Sequence, residues 1–387
     1  MDCDYNSTVC NYVILDLHGG IIMSTHKKLF IPGPVEVRDE VLEKMATPMI
    51  GHRTKDASAL QKSISEKLQK VMGTKNTIIL STSSGSGLME GAVRCFTAKK
   101  AAIFSIGAFG ERWYKMATSN GVPADIFRSE LGQITTPEMV DEALSSGEYD
   151  MITITHNETS TGIHNPIGKI SEVLKAKYPD VILCVDTVSS MGGDFIPVDE
   201  WGIDVCITST QKCLGLPPGM SIASVSDRAL EKAKTIPNRG LYFDYVELAK
   251  FVHEKPFQYP STPSESHMFA LDYQLDCILA EGVENRYKRH CEMAELVRDW
   301  ARKNAELYSD PDNLSVTVTC IKNTLGIPFP EINKKMGERG YLLSGGYGAL
   351  KETTFRIAHM ADTTVDEIKT MLKDLDEVIA ELKAQNA

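Results

Sequence analysis

The chain has 387 residues, 42% hydrophobic and 24% charged, ordinary values for a globular protein long enough to bury a large core. Its 41 Lys and Arg against 52 Asp and Glu leave a net charge of −11, a field that repels phosphate backbones and argues against a general nucleic-acid binder. A local pocket for one small anion stays open.

The first residues carry Asp2 and Asp4 instead of a basic stretch, and the first arginine is Arg38, so no signal peptide is expected and the cytoplasm is the default location. The nine cysteines (Cys3, Cys10, Cys95, Cys184, Cys206, Cys213, Cys277, Cys291 and Cys320) form no C-x-x-C pair. Several lie in apolar runs such as VILCVD, which reads as buried free thiols with neither a disulfide framework nor a metal site. Leu60, Ile64, Leu68, Val71 and Met72 fall at helical spacing, with Gly73 as a stop. Seven short apolar runs follow: Thr77–Leu80, Ala101–Ser105, Ala124–Phe127, Met151–Thr155, Val181–Asp186, Asp204–Thr208 and Met220–Val225. Strands apolar throughout imply a sheet covered on both faces, an α/β architecture. The stretch Lys255–Glu265 is Pro-rich and reads as an exposed loop. A helical region around Met268–Asn304 comes next, then strand candidates at Leu314–Ile321, Tyr341–Ser344 and Thr354–Ile357. The end is an amphipathic helix running from Val365 to Leu382, with Thr364 and Glu367 as its capping box. The expected organisation is an N-terminal arm (1–27), a large domain (28–282) and a smaller α+β domain (283–387).

Three places carry chemistry. In TIILSTSSGSGLMEGAV a strand runs into a turn where Ser84, Gly85 and Ser86 open a helix; this is a phosphate cradle or a plain turn, and neither a P-loop nor a G-x-G-x-x-G. VILCVDTVSSMGG ends a buried strand at Asp186, at the sheet edge where open α/β folds bind ligands, unless that Asp merely caps a helix. Lys212 follows another strand in STQKCLGLPPG, where Pro217-Pro218-Gly219 stiffens the loop around a candidate nucleophile. Its neighbour Cys213 reads as a packing residue. A cradle, an acid at a strand end and a held lysine are together what pyridoxal 5′-phosphate (PLP) requires. The lysine forms its Schiff base, the Asp keeps the ring nitrogen protonated and the cradle anchors the phosphate.

With the PGP motif within Ile31–Val35, HNETSTG, VDTVSSMGG, STQKCLGLPPG and RIAHM at Arg356–Met360, nearly the whole chain resembles the class V aminotransferases of PLP fold type I, near the alanine/serine–glyoxylate (serine–pyruvate) group. The resemblance implies a mainly parallel seven-stranded sheet in the large domain. It implies Lys212 as the catalytic lysine, Asp186 on the pyridine nitrogen, Val188 beneath the ring and Phe109 stacked on it. Thr159 lies near the ring hydroxyl, and Ser84, Gly85, Ser86 and Gln211 hold the phosphate. Tyr259 and Thr262 reach the phosphate of a neighbouring subunit, making a homodimer with composite sites. Arg356 clamps the substrate carboxylate, for which a planar guanidinium is suited, and Gly33 approaches the same substrate.

The chain departs from the pattern at Ala358 and Ala361, where relatives often have glycine; the exchange is expected to tighten the pocket. Arg53 reads first as a surface or capping group and second as a further cation for an acidic substrate. His156 and His359 read as satisfied structural histidines. The expected activity moves an amino group from alanine or serine to glyoxylate or pyruvate by a ping-pong route. The alternatives are a 2-aminoethylphosphonate or aspartate aminotransferase, a desulfurase-type lyase, or a non-catalytic subunit with this fold. Gln211, where a desulfurase is expected to have His, lowers the lyase option.

Overall fold

A computed structural model describes residues 11–15 and 21–385, with side chains from residue 26 onward. Seven strands, β1 (Thr77–Ser81), β2 (Ala101–Ser105), β3 (Ala124–Arg128), β4 (Met151–Thr155), β5 (Ile182–Asp186), β6 (Val205–Ser209) and β7 (Ser221–Val225), form one sheet in the order β1-β7-β6-β5-β4-β2-β3. β7 is antiparallel to both neighbours and every other neighbouring pair is parallel.

Six of these strands are buried along their whole length, both alternating faces being covered, whereas the edge strand β3 carries Asp125 and Arg128 and is only half-buried. Ile152, Ile154, Leu183 and Val185 face one layer together with Ile64 and Leu68 of helix α1 (Lys55–Val71). Met151, Ile182 and Cys184 face the other, with Leu88 and Ala92 of helix α2 (Gly85–Phe96). Parallel strands point their carboxyl ends the same way, so Thr155, Asp186 and Ser209 end at one edge of the sheet. Helix α3 (Ala108–Ser119) starts just beyond β2 at that edge.

The helical region after residue 264 is two helices, α4 (Glu265–Glu281) and α5 (Val283–Asn304), interrupted at Gly282. A second core lies between α5, the last helix α6 (Val365–Gln385) and a four-stranded antiparallel sheet built on β8 (Val318–Lys322) and β9 (Thr354–Ala358). The capping box at its start is present: Thr364 donates its amide to Glu367 at 2.8 Å, and Glu367 donates its own to Thr364 Oγ1 at 3.3 Å.

Two details differ from the sequence expectation. β8 begins at Val318 and not at Leu314, because Ser315 Oγ accepts the amides of Thr317 and Val318, both at 3.2 Å, and this local turn competes with the ladder. Residues 28–30, assigned on sequence to the large domain, pack with the second core. Lys28–Leu29 pairs with Tyr341–Leu342, Phe30 is buried there, and its carbonyl accepts the amide of Ala358 at 2.9 Å. Of the proposed arm, Asn11–Leu15 and Ile21–Thr25 form an antiparallel pair; Cys3 and Cys10 lie outside the described residues. Among the described residues, no helix is long and apolar enough to cross a membrane.

Arg286 of α5, 2% exposed, ties the two cores together. It donates to Glu281 and Asp362 at 2.8 Å each, and to the carbonyls of Gly192 (2.8 Å) and Cys213 (2.9 Å). Burial pushes the Asp362 carboxyl up, but the Arg286 charge and hydrogen bond outweigh it and hold the group below the usual range. Arg286→Met leaves Asp362 with Arg38 (3.0 Å) and Gln274 (2.8 Å) alone and frees the Gly192 and Cys213 carbonyls, and should cost about 2–4 kcal/mol of unfolding free energy. Urea titration checks it; a loss under about 1 kcal/mol would show that the network adds little.

Candidate active site

Lys212 sits three residues past β6, in a loop closed on itself. Thr210 donates its amide to Met220 O and accepts that of Leu216, both at 3.0 Å, and Gly215 donates to Lys212 O at 2.9 Å. The ammonium is buried beside Pro32 O, and burial lowers its pKa to about 8. The adjoining Cys213 is fully buried against Val35, Val318 and Ala358, and burial pushes its thiol to about 12. It is a packing residue and no nucleophile.

Asp186 ends β5 and is 3% exposed. Its Oδ1 accepts the Val188 amide at 2.9 Å; among the described residues its Oδ2 has no hydrogen-bond partner. Burial raises its pKa to about 6, with the Val188 amide as the largest opposing influence. Asp186 and Lys212 lie within electrostatic reach of one another.

The strand–turn–helix at Ser84 has the form the cradle needs. Ser84 stands at the N-cap with no capping bond from its side chain, and the amides of Gly85 and Ser86 have no partner among the described residues. A side chain at Gly85 is excluded, since its Cβ would meet Val188 Cγ2 at 2.7 Å. Two buried atoms nearby also lack partners: Ser209 Oγ, 3.6 Å from that same Cβ position, and Gln211 Oε1. Unpaired amides at a helix start plus the unsatisfied Ser209 hydroxyl are the donor set a phosphate dianion completes, and the same Gln211 side chain carries an amide NH₂ that can donate beside them. The residues therefore fit the cofactor.

A cavity of about 410 Å³ lies between the two cores, lined by Gly33, Phe109, Thr159, Lys212, Tyr347 and Arg356 among others. Arg356 of β9 is held in place by Thr159 O (3.1 Å), Gly345 O (3.1 Å) and Ser344 Oγ (3.0 Å). Gly33, at φ +97°, leaves no room: a Cβ would stand 2.6 Å from Lys212 Cδ and 2.7 Å from its Nζ. Gly33→Ala is both strained and obstructing. It should lower kcat/KM at least about tenfold while the melting temperature falls only slightly, which enzyme assay and calorimetry separate.

Not every expected residue is gathered here by the single chain. Thr262 is exposed, while Tyr259 is buried with its hydroxyl 3.4 Å from the Thr82 amide of its own chain. Arg53 lines no part of the cavity; it donates to Tyr259 O and to Pro260 O (3.0 Å), fastening the Pro-rich loop. His359 is satisfied by Thr319 Oγ1 and Val316 O, both at 3.0 Å. Ala358 is an ordinary buried strand residue, whereas Ala361 adopts φ +58°, a left-handed conformation that costs about 1 kcal/mol for a residue with a Cβ.

Three residues join the site without having been singled out from sequence. Tyr347 stacks on Phe109 at 6.0 Å and lies 5.5 Å beneath the Arg356 guanidinium. Arg112 covers Phe109 at 4.8 Å and donates to Ser86 Oγ at 3.3 Å. The fully buried Glu158 accepts the amides of Phe109 (3.0 Å) and Ser160 (3.1 Å), coupling the start of α3 to the Thr159 loop.

The chain is 39% identical over 369 residues to an uncharacterized aminotransferase of Methanocaldococcus jannaschii, covering 93% of this chain and 94% of that one. It is 33% identical over 351 residues to a serine–glyoxylate aminotransferase of Methylorubrum extorquens, with 86% of each covered. The crystal structure of an alanine–glyoxylate aminotransferase from Nostoc sp. superposes with a TM-score of 0.86 at 26% identity, over 92% of this chain and 96% of that one. The family model for class-V aminotransferases matches residues 35–346. A mainly parallel sheet with a buried lysine, a buried aspartate and unpaired helix-start amides at one edge, in a chain matched along most of its length, makes this protein a PLP-dependent class-V aminotransferase.

Proposed function

We propose that the enzyme moves an amino group from a small amino acid, alanine or serine, to a small 2-oxo acid, glyoxylate or pyruvate, in a ping-pong sequence where the first product leaves before the second substrate binds. The observation that carries the substrate class is the charge inventory of the cavity: Lys212 and Arg356 are the only ionisable cations among its lining residues. Arg356 serves the α-carboxylate common to all these substrates. A second carboxylate, as on aspartate, finds no further cation there, since Arg53 is tied to loop carbonyls and Arg112 to Ser86.

PLP, when bound, supplies an electron sink that makes the substrate's α-hydrogen acidic. Ser84, Gly85, Ser86 and Gln211 would hold its phosphate, Asp186 would balance a positive ring nitrogen, and Phe109 and Val188 would pack against the ring. Thr159, which lines the cavity, would serve the ring hydroxyl. Arg356 and Gly33 would fix the carboxylate so that the α-hydrogen faces Lys212, whose neutral amine is the base placed to accept and hold that proton. Buried at a pKa of about 8, the amine gives up its own proton more readily than an exposed lysine does. Tyr259 and Thr262 complete the cradle of a second copy in a homodimer. Support comes from Leu241 and Tyr242, 81% and 46% exposed, with the Tyr242 hydroxyl 3.4 Å from Thr82 O beside the cradle.

A donor panel tests the reading, with glyoxylate as acceptor and alanine, serine, aspartate and 2-aminoethylphosphonate as donors. Alanine or serine should exceed the other two in kcat/KM by about tenfold or more, with parallel double-reciprocal lines. Arg356→Lys gives up the two-point grip on the carboxylate and should raise KM for the preferred donor about ten- to a hundredfold. Preference for aspartate or the phosphonate would overturn the substrate assignment.

A further inference from the structure

Outside the cavity, two histidines and one aspartate converge in a way the amino-transfer reaction does not use. His164 Nδ1 lies 3.4 Å from Asp194 Oδ2, His156 Nε2 lies 3.9 Å from the same oxygen, and the three atoms all fall within 4.8 Å of one another. The Asp194 side chain is only 8% exposed, and its Oδ1 is taken by the Phe195 amide at 2.8 Å. Among the described residues no lysine or arginine comes within ion-pair distance of it; the nearest basic side chains are the imidazoles of His156 and His164. A buried carboxylate needs a positive charge close by. His164 Nδ1 is itself buried without a hydrogen-bond partner. A lone pair facing a carboxylate oxygen is repulsive unless a proton or a cation stands between them.

We propose that His156 Nε2, His164 Nδ1 and Asp194 Oδ2 form a binding site for a divalent transition metal of the zinc type, with water in a fourth position. Two imidazoles and a carboxylate are a donor set that zinc accepts, and bonds of about 2.0–2.1 Å place tetrahedral ligand atoms about 3.4 Å apart. The His164–Asp194 pair already has that spacing. The His156 and His164 rings are stacked, centroids 5.6 Å apart and 20° between planes, so closing the set requires the 29% exposed His164 side chain to rotate out of the stack. The far nitrogen of the His156 ring is anchored, Nδ1 lying 2.8 Å from Ser190 Oγ, the outer support that metal-bound imidazoles ordinarily have. The site is structural: the His156 amide donates to Asp186 O at 2.8 Å and Ser190 belongs to the turn after β5, so a bound ion braces the backbone that presents Asp186.

The test is zinc binding by the intact, cofactor-loaded protein after chelator treatment and desalting. Calorimetric titration with Zn²⁺ alone should show one equivalent per chain, and the melting temperature should rise by about 3 °C at a hundredfold excess over Kd. His164→Gln and Asp194→Asn should abolish both effects while keeping the visible absorbance of bound cofactor. Both variants retain every cysteine, so zinc held by thiols appears equally in them. Absence of uptake by the unaltered protein, or equal uptake by the variants, overturns the proposal and leaves His164 as a polar neighbour of Asp194 only. Should a variant misfold, anomalous diffraction at the zinc edge from the unaltered protein decides: a peak between His156, His164 and Asp194 supports the site, and a peak elsewhere or none refutes it.

Discussion

Lys212→Ala should reduce turnover by at least about 10⁴-fold and abolish the visible absorbance of the PLP-loaded protein. Covalent attachment and proton transfer are both assigned to this one amine, and positioned proton transfer alone contributes about 10²–10⁴-fold. No other lysine lines the cavity to take its place. The protein should still fold, because shortening a buried cationic side chain removes a desolvation cost along with its packing. The buried amine also sets a pH dependence. Burial lowers its pKa to about 8, so the neutral, nucleophilic form grows as pH rises through that value. The rate at which cofactor-free protein takes up PLP should therefore climb between about pH 7 and 9. An exposed lysine, with its ordinary pKa near 10.4, would still be climbing beyond that range. Stopped-flow absorbance checks it; an alanine variant within about tenfold of the original turnover would remove Lys212 from the mechanism.

Asp186→Asn should cut kcat by about 10²–10³-fold and loosen the cofactor by a similar factor. Asparagine keeps an oxygen for the Val188 amide, so the variant isolates the charge. In the cofactor-free chain Asp186 is a buried carboxylate whose pKa burial has raised to about 6. A ring nitrogen bearing a proton supplies the opposite charge, and breaking a buried pair costs about 3–5 kcal/mol, which sets the expected factor. As pH falls through about 6 the carboxyl gains its proton and loses the charge that holds the ring. PLP affinity should then decline in the original protein and stay flat in the variant. Equilibrium dialysis across pH 5 to 8 reads both. Unchanged affinity and kcat in the asparagine variant would mean that Asp186 serves only as a local cap.

Much of this was legible in the sequence because the signals are local. Strands buried on both faces announce themselves as unbroken apolar runs, and Thr364 with Glu367 marks a helix start within four residues. Asp186 ends a strand, and Ser84 and Lys212 each stand three residues past one, so the topology alone carries them to one edge. What escaped depends on contacts between distant segments. Tyr347 meets Phe109 and Arg356 through space, from a loop with no periodic pattern. Arg112 had a readable signal, three residues after Phe109 on one helix and therefore on the same face. Glu158 ends a two-residue strand and Asp194 follows a polar turn, both in polar sequence where a buried carboxylate is indistinguishable from a solvated one until the fold surrounds it. The second core recruits Phe30 from the far end of the chain, and a boundary drawn along the sequence cannot register that.

The central claim is that this pocket holds PLP on Lys212. Reducing the loaded protein with borohydride fixes the carbon–nitrogen link, and peptide mass mapping then locates it. The modification should fall on the peptide containing Thr210-Gln211-Lys212-Cys213, at one per chain, and disappear in Lys212→Ala. Modification of another lysine, or none while the protein still transfers amino groups, would contradict the account.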